Sequence, residues 1–266
     1  MSTHVGEQQH EQAQPHEPAG TEPVLEALAA RKEYDGGDVV ALKGADLAVY
    51  PGEFVCVMGP SGSGKSTLLH LLGTLDRPSS GMVRIKGRDV AQVKRLHVLR
   101  AQELGFVFQL HNLVPSLSLL DNVMLPMVPL ALPASEKRAR AKQALELVGL
   151  GHRTSHPPGK VSGGERQRAA FARALVNEPA IVLGDEPTGS VDSATGKHLL
   201  EILLQSKRQH ATTLVIVTHN PELATLADRV IVIHDGELRE FPRERIPRTL
   251  APLNPFLEPL DADASL

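Results

Sequence analysis

The sequence is poor in cysteine and in aromatic side chains. It has one cysteine and no tryptophan in 266 residues, and aromatic side chains make up 3% of the chain. A lone Cys56, inside an apolar run, excludes an internal disulfide, fits a reducing compartment and is expected in the core. Scarce aromatic side chains disfavour a surface that stacks single-stranded nucleic acid. The net charge of −3 gives no general attraction to nucleic acid or anionic lipid.

The sequence also lacks a long uninterrupted apolar run. Its most apolar region, residues 112–134, is broken by Asp121, Asn122 and four prolines, so it falls short of a membrane span. The N-terminal segment is polar and acidic, without the basic start and apolar core of a signal peptide. We therefore expect a soluble chain with no direct membrane insertion, whose role at a membrane passes through a partner.

One domain between two tails is the expected organisation. Residues 1–23 are rich in Gln, Glu, His and Pro, which predicts a disordered, solvated tail, and residues 242–266 form a proline-punctuated C-terminal tail. Between them, residues 24–241 alternate apolar strands with helices, which predicts an α/β domain with a parallel sheet covered on both faces. Residues 110–160 have helices and prolines but no buried strand, which indicates an inserted helical subdomain. Within it, Ser135 is predicted to cap a helix.

A glycine-rich loop follows the first buried strand. The stretch "GPSGSGKST" fits the pattern G-x-x-x-x-G-K-[ST], with a strand before it and a helix after it. Backbone N–H groups of such a loop surround phosphates, Lys65 supplies positive charge, and the Ser66 hydroxyl can bind Mg²⁺. The candidate nucleotide-binding residues of this loop are Gly59, Pro60, Ser61, Gly62, Ser63, Gly64, Lys65, Ser66 and Thr67.

Polar side chains end three other predicted strands. Asp185 is placed to hold Mg²⁺, and Glu186 is the candidate general base for the attacking water. Gln109, at the end of "GFVFQ", could reach the metal or the water, and His219 could contact the γ-phosphate. The carboxyl ends of parallel strands share one edge, so we expect these groups to meet there. Alternatively, the two carboxylates flank a turn before Pro187, and the amide and imidazole are ordinary surface groups.

A second small-residue motif precedes a later helix. The stretch "KVSGGERQR", residues 160–168, puts Ser-Gly-Gly where free backbone N–H groups bind anions. The same residues fit a capping box formed by Ser162 and Glu165. Both interpretations are compatible with the sequence.

Taken in order, these motifs together with "GSVD" and "VTHN" resemble those of ATP-binding cassette (ABC) ATPases over residues 24–241. The resemblance implies a P-loop NTPase fold of the ABC type, with an antiparallel β subdomain and the helical insertion. It implies ATP, Mg²⁺ and a homodimer, in which the SGGE segment of one subunit closes on ATP held by the other. Asp192 would link the two sites, and Tyr34 matches the aromatic residue that stacks on adenine. The signature residues implied are Ser162, Gly163, Gly164 and Glu165.

The stretch "GFVFQLHNLVPSLSLLDNVMLPM" looks like the lipoprotein-release and macrolide-export branch of that family. This implies an ATP-hydrolysing subunit at the inner face of the cell membrane, held by a separate integral membrane permease. Pro115 and the apolar residues 117–127 would form its docking groove. The cell-division ATPase belongs near this group, so a module that transmits force or a signal without transport is the alternative. A nucleic-acid or ribosome-associated ABC protein is disfavoured, because there is no second cassette, coiled-coil insertion or strongly basic patch.

Four positions, in three motifs, depart from the commonest family spelling. Val161 replaces Leu before the Ser-Gly-Gly, Gly184 replaces Ala before Asp185, and "GSVD" replaces a more usual Asn and Leu. None of these changes removes a reactive group, so they bear on the rate and the dimer affinity and not on the expected activity.

Overall fold

The structure is a computed structural model that describes residues 21–241, so the predicted tails lie outside the described residues apart from positions 21–23. The described residues form ten strands and seven α-helices. The strands are β1 (Leu25–Tyr34), β2 (Val39–Val49), β3 (Phe54–Met58), β4 (Ser80–Ile85), β5 (Arg88–Asp89), β6 (Leu104–Val107), β7 (Ile181–Asp185), β8 (Thr213–Val217), β9 (Arg229–His234) and β10 (Glu237–Phe241). The helices are α1 (Lys65–Leu72), α2 (Leu96–Glu103), α3 (Leu119–Met124), α4 (Ala134–Leu147), α5 (Gly163–Leu175), α6 (Ser193–His210) and α7 (Pro221–Leu226).

The strands form two sheets. The first is antiparallel, in the order β2-β1-β4-β5, and is the β subdomain that the family resemblance implies. The second has the order β10-β9-β3-β8-β7-β6, with five parallel strands and β10 antiparallel to β9 at one edge. The prediction of a parallel sheet is confirmed.

Each face of the central sheet packs in a different hydrophobic core. Side chains alternate along β3, so Val55 and Val57 join the core that contains α1 and the antiparallel sheet. Phe54 and Cys56 point the other way, into the core that contains α3 to α6. Burial raises the pKa of the Cys56 thiol to about 12, and the nearby Glu186 carboxylate adds to the increase. Cys56 is therefore a protonated core residue, as expected.

The helical insertion is also as predicted, since no strand lies between residues 110 and 160 of the described chain. Helices α3 and α4 pack on each other and on α5. However, Leu119, Leu120, Val123 and Met127 are buried in the core that this packing creates. These four residues cannot contribute to the predicted docking groove, because the short α3 uses them to attach the insertion to α5, whereas Pro115 is exposed and Leu117, Leu125 and Pro126 are half-buried.

The N-cap of helix α4 lies two residues earlier than the sequence predicts. Pro133 occupies the N-cap position with extended backbone, and the Lys137 N–H donates to its carbonyl oxygen at 3.0 Å. Ser135 lies inside the first turn, so its predicted role as the cap is wrong. The proline ring fixes only φ, and here ψ of Pro133 is 146°, so Ala134 becomes the first helical residue.

Candidate nucleotide-binding and catalytic site

The loop between β3 and α1, residues 59–67 and called here the phosphate loop, depends on glycine for its path. Gly59 and Gly64 have positive φ angles of 150° and 107°. A Cβ on Gly59 would overlap the carbonyl oxygen of Ile233, and a Cβ on Gly64 would overlap that of Ala41. The loop therefore passes so close to neighbouring backbone that side chains at these positions are excluded.

The turn between β9 and β10 holds the phosphate loop from outside. Gly236 donates its N–H to the carbonyl oxygen of Ser63 at 3.0 Å, and its own carbonyl accepts from Lys43 of β2 at 3.0 Å. The loop is thus tied to the last hairpin, and through it to the antiparallel sheet.

The concave side of the phosphate loop offers hydrogen-bond donors. Gly64 is the N-cap of α1 and has no side chain to accept from the first N–H groups of the helix, which carry the positive end of its dipole. The Ser63 hydroxyl is buried and has no partner among the residues that the structure describes. The N–H groups at the start of α1 fit the oxygens of a phosphate.

Lys65, the first residue of α1, folds back over the loop. Its Nζ donates to the carbonyl oxygens of Gly59 at 3.0 Å and Pro60 at 2.8 Å. Burial lowers the pKa of Lys65, and the carboxylates of Glu186 and Asp185 oppose that effect. The ammonium group therefore lies within the field of both acidic residues.

Ser66 and Asp185 bring two oxygen ligands together. The Ser66 Oγ, from α1, donates to Oδ2 of Asp185, at the end of β7, over 3.0 Å. Residues 21–241 contain no group of three or more His, Cys, Asp or Glu side chains that could hold a metal alone. Mg²⁺ is usually bound by one or two carboxylates together with substrate phosphates and water, so this pair of oxygens fits it.

Glu186 has a constrained backbone and a carboxylate with three partners. Its φ is 45°, an unusual value for a side chain of this size, and its N–H continues the ladder to Val217 at 2.9 Å. Oε2 accepts from the Thr218 hydroxyl at 2.9 Å. Oε1 accepts from the His219 backbone N–H at 2.8 Å and lies 2.7 Å from Nδ1 of its ring. The carboxyl group is mostly buried, whereas the His219 side chain is 79% exposed.

Gln109 lies at the same edge of the sheet but not in a strand. Strand β6 ends at Val107, which pairs with Gly184, one residue before Asp185. The prediction that Gln109 ends the strand is wrong, because a turn begins at Phe108, whose carbonyl accepts from the His111 N–H at 3.1 Å. Gln109 is exposed in this turn.

Tyr34 ends β1 in the antiparallel sheet. Its hydroxyl donates to Oδ2 of Asp76 at 3.1 Å, and Nζ of Lys32 lies 4.9 Å from its ring centre. The ring is 37% exposed. One face of the aromatic ring is therefore covered by a lysine.

The four residues 162–165, called here the signature segment, form the start of α5. The Ser162 Oγ accepts from the Glu165 N–H at 3.2 Å, and Glu165 Oε2 accepts from the Ser162 N–H at 2.8 Å. These bonds to Ser162, with a weaker effect from Arg153, lower the pKa of Glu165. The capping box is confirmed. Within residues 21–241, no hydrogen bond or ion pair joins the signature segment to the phosphate loop.

Asp192 caps α6 beside the signature segment. Its Oδ1 accepts from the N–H groups of Ala194 and Thr195 at 3.1 and 3.0 Å. The bonds from Thr195 lower the pKa of Asp192. A Cβ on Gly164 would lie 4.0 Å from Cγ2 of Thr195, so the starts of α5 and α6 are neighbours.

Two sets of contacts around α5 escaped the sequence analysis. Arg173 donates to the carbonyl oxygens of His111 and Asn112 at 2.6 and 2.5 Å, and Nε2 of His111 lies 3.1 Å from the Gly163 carbonyl oxygen. Gln167 is fully buried and donates to the Pro187 carbonyl oxygen at 2.5 Å. One sequence signal could have indicated the role of Gln167: it is a polar residue among the alanines of α5.

A P-loop that faces an acidic strand end on a parallel sheet defines a nucleoside triphosphatase of the P-loop class. A family profile described as ABC transporter matches residues 42–189. An uncharacterized ABC transporter ATP-binding protein of Thermotoga maritima is 47% identical and aligns with 84% of this chain and 97% of its own length. The lipoprotein-releasing system ATP-binding protein LolD of Bordetella pertussis is 49% identical, over 84% of this chain and 98% of its own length.

Solved structures agree with these relatives. An ATP-binding cassette solved as a dimer, in a post-hydrolysis state bound to ADP and Pi, has a TM-score of 0.77 and 39% identity, covering 82% of this chain and 98% of the cassette. The dimer of a bacterial ABC transporter cassette gives the same values. The chain belongs to the ABC transporter family and is an ATP-binding subunit with the ATPase activity of that family. No helix between residues 21 and 241 is long and apolar enough to cross a bilayer.

Proposed function

We propose that the chain hydrolyses ATP in a sandwich dimer and drives a separate membrane permease of the lipoprotein-release or macrolide-export type. The observation that carries the proposal is the division of the site. The phosphate loop meets Asp185 and Glu186 at one edge of the sheet, while the signature segment, a second anion site, makes no bond to that loop within the described chain. The site is complete only if a second subunit supplies the missing half.

Residues 59–67 bind the phosphates in this proposal. The N–H groups of the loop and of the α1 N-terminus surround the β- and γ-phosphates, and Lys65 turns its ammonium from the loop carbonyls to the phosphate oxygens. Ser66, Asp185 and Gln109 would hold Mg²⁺, which neutralises phosphate charge when bound. Tyr34 would stack on the adenine with the ring face that Lys32 leaves free.

Glu186 accepts the proton of the attacking water. The bonds from Thr218 and from the His219 backbone keep its carboxylate at the edge of the sheet next to Asp185. A fixed carboxylate needs little reorganisation when the water loses its proton, so the barrier is lower. The exposed imidazole of His219 would contact the γ-phosphate once ATP is bound. Gln109 would orient the water from the turn that follows β6.

The signature segment would complete the site of a second copy. Ser162, Gly163, Gly164 and Glu165 start a helix whose positive end can face the γ-phosphate held by the partner subunit's phosphate loop. Asp192, next to Gly164, would link the two sites across the dimer. The two dimeric cassettes at 39% identity support this arrangement.

A groove between the sheet edge and the helical insertion would receive the permease. A cavity of about 340 Å³ is lined by α2, the end of β6 and the segment after α3. Its apolar wall includes the stacked rings of Phe106 and Phe108, together with Leu125, Pro126 and the exposed Leu75. Such a wall suits an apolar cytoplasmic helix of a membrane protein and would keep the ATPase at the inner face of the cell membrane.

Co-purification from membranes tests the permease. Tagged chain should retain an integral membrane protein that mass spectrometry identifies. Leu75→Asp should lose that protein because it puts a charge in the groove, while its ATPase rate stays within about twofold of wild type. Leu226→Asp, at an equally exposed leucine on α7, is the matched control and should retain it. Equal recovery by both variants, or none by wild type, would contradict docking in this groove.

A further inference from the structure

Gln167 is a polar side chain where α5 has no evident need for one. It is fully buried, and its Nε2 donates to the Pro187 carbonyl oxygen at 2.5 Å. Its Oε1 is buried with no partner among the described residues. The reverse orientation would press two carbonyl oxygens together, so the chemistry fixes which end of the amide faces Pro187. The amide thus pairs the Pro187 carbonyl but leaves its own oxygen buried and unpaired, which costs free energy.

The carbonyl that Gln167 holds belongs to the turn that carries Glu186. The Gly189 N–H donates to the Glu186 carbonyl oxygen at 3.0 Å, which closes a four-residue turn with Pro187 in its second position. Proline has no N–H and fixes its own φ, so the turn is rigid at that residue. A bond at the Pro187 carbonyl therefore restrains the residue directly after Glu186.

The other end of this connection is the signature segment. Gly163 and Gln167 are four residues apart on α5, so they lie on the same face, about 6 Å apart along the axis. Over this distance an α-helix moves as a rigid unit. A displacement of the α5 N-terminus can therefore reach the Glu186 turn through the Gln167 side chain.

We propose that Gln167 is a positioning residue that makes the placement of Glu186 depend on whether the signature segment of the same chain has engaged the other subunit's nucleotide. The inference rests on the proposed dimer. When the signature segment of one subunit closes on the ATP of its partner, Gln167 would align Glu186 of the same subunit, which acts on that subunit's own ATP. Gln167 touches neither nucleotide and contributes to the rate through Pro187 and Glu186.

Gln167→Met tests the connection, because methionine keeps the length of the side chain and removes the N–H donor. We expect kcat to fall at least about tenfold, as a misplaced catalytic group does. The KM for ATP and the ATP affinity of the monomer should stay within about twofold of wild type. Combined with Glu186→Gln, the variant should still dimerise with ATP, since ground-state closure does not use this bond. The melting temperature should change little, because the variant exchanges an unpaired amide oxygen for an unpaired Pro187 carbonyl oxygen.

Gln143→Met, the same exchange on α4 and away from the phosphate loop, is the control and should match wild type. A kcat of Gln167→Met within twofold of wild type would overturn the inference while leaving the proposed function intact. Parallel losses of kcat, ATP affinity and melting temperature would assign Gln167 to stability alone, as would failure of both Gln167→Met and Gln167→Leu to fold. A wild-type chain that neither hydrolyses ATP nor dimerises would overturn the proposed function, and the inference with it.

Discussion

Glu186 is a residue whose backbone stores strain beside a reactive carboxylate. A φ of 45° at a non-glycine residue costs on the order of 1–3 kcal/mol. The ladder bond to Val217 and the bonds from Thr218 and His219 hold the residue in this conformation against that cost. Strain of this kind persists where the surroundings fix a group that must not move.

Glu186→Gln should separate binding from chemistry. The amide keeps the shape of the side chain but cannot accept the proton of water, so turnover should fall roughly a hundredfold or more while ATP stays bound. We expect an ATP-dependent shift from monomer to dimer in size-exclusion chromatography.

Asp185→Asn is the matched comparison, since it makes the same exchange one residue earlier. It removes charge from the Ser66 and Asp185 oxygen pair, so it should weaken Mg²⁺ binding and give no stable dimer. A Glu186→Gln protein that stays monomeric at saturating Mg·ATP, or turns over at the wild-type rate, would show that Glu186 is not the base.

At the scale of one element, the N-terminal cap of α5 includes a charged side chain, the carboxylate of Glu165. Hydrogen bonds from Ser162 hold the pKa of Glu165 below its usual value. A carboxyl group whose pKa is lower in the folded state contributes stability that is fully present above the unfolded pKa, about 4.3. That stability is lost as the pH falls through the folded pKa.

Glu165→Gln should therefore be less stable than wild type near neutral pH, by an amount that shrinks as the pH falls below about 4. Urea midpoints measured from pH 7 to pH 3 would show the two curves converging. Glu201→Gln, at a 76% exposed side chain on α6, is the control and should run parallel to wild type. A constant gap between Glu165→Gln and wild type would mean that the carboxylate charge does not contribute to the cap.

The sequence was sufficient for most elements because their signals are local. Continuous apolar runs predicted β3, β7 and β8, and a small-residue N-terminus predicted α5. The predictions for Ser135 and Gln109 failed because of neighbouring residues. Pro133 occupies the N-cap position of α4, and a turn begins at Phe108, where β6 was expected to continue. Both shifts are within one or two residues, where hydrophobic periodicity carries little information.

The part of the candidate site that lies at the strand ends could be predicted, because one topological rule applies to all of its residues. The rule that parallel strands end at a common edge groups Asp185, Glu186 and His219 without knowledge of any contact. The contact between Gln167 and Pro187 follows no such rule, because it depends on how α5 packs on the sheet. The burial of α3 was missed for the same reason: an apolar segment looks alike whether it faces a partner or its own core.

At the scale of the whole molecule, two defective chains should repair each other. Lys65→Ala removes the charge over the phosphates, and Ser162→Arg blocks the signature segment with a bulky cation. Neither variant should dimerise alone when each also carries Glu186→Gln. In a mixed pair, the phosphate loop of the Ser162→Arg chain meets the intact signature segment of the Lys65→Ala chain, so one complete site remains.

Differently tagged chains, mixed with Mg·ATP and separated by size, would reveal this pair. Ser162→Arg alone should still bind ATP as a monomer, whereas Lys65→Ala should not. No dimer in the mixture, or loss of monomer ATP binding by Ser162→Arg, would contradict a site shared between subunits.

The contact between the β9–β10 turn and the phosphate loop joins two segments that are synthesised at different times. Ser63 leaves the ribosome about 170 residues before Gly236, a delay of roughly 10 to 35 s at ordinary translation rates. Throughout that interval the nascent chain carries the complete glycine motif without the backbone against which Gly59 packs. The phosphate loop of a new chain therefore gains its last backbone contacts only after the final hairpin has been synthesised.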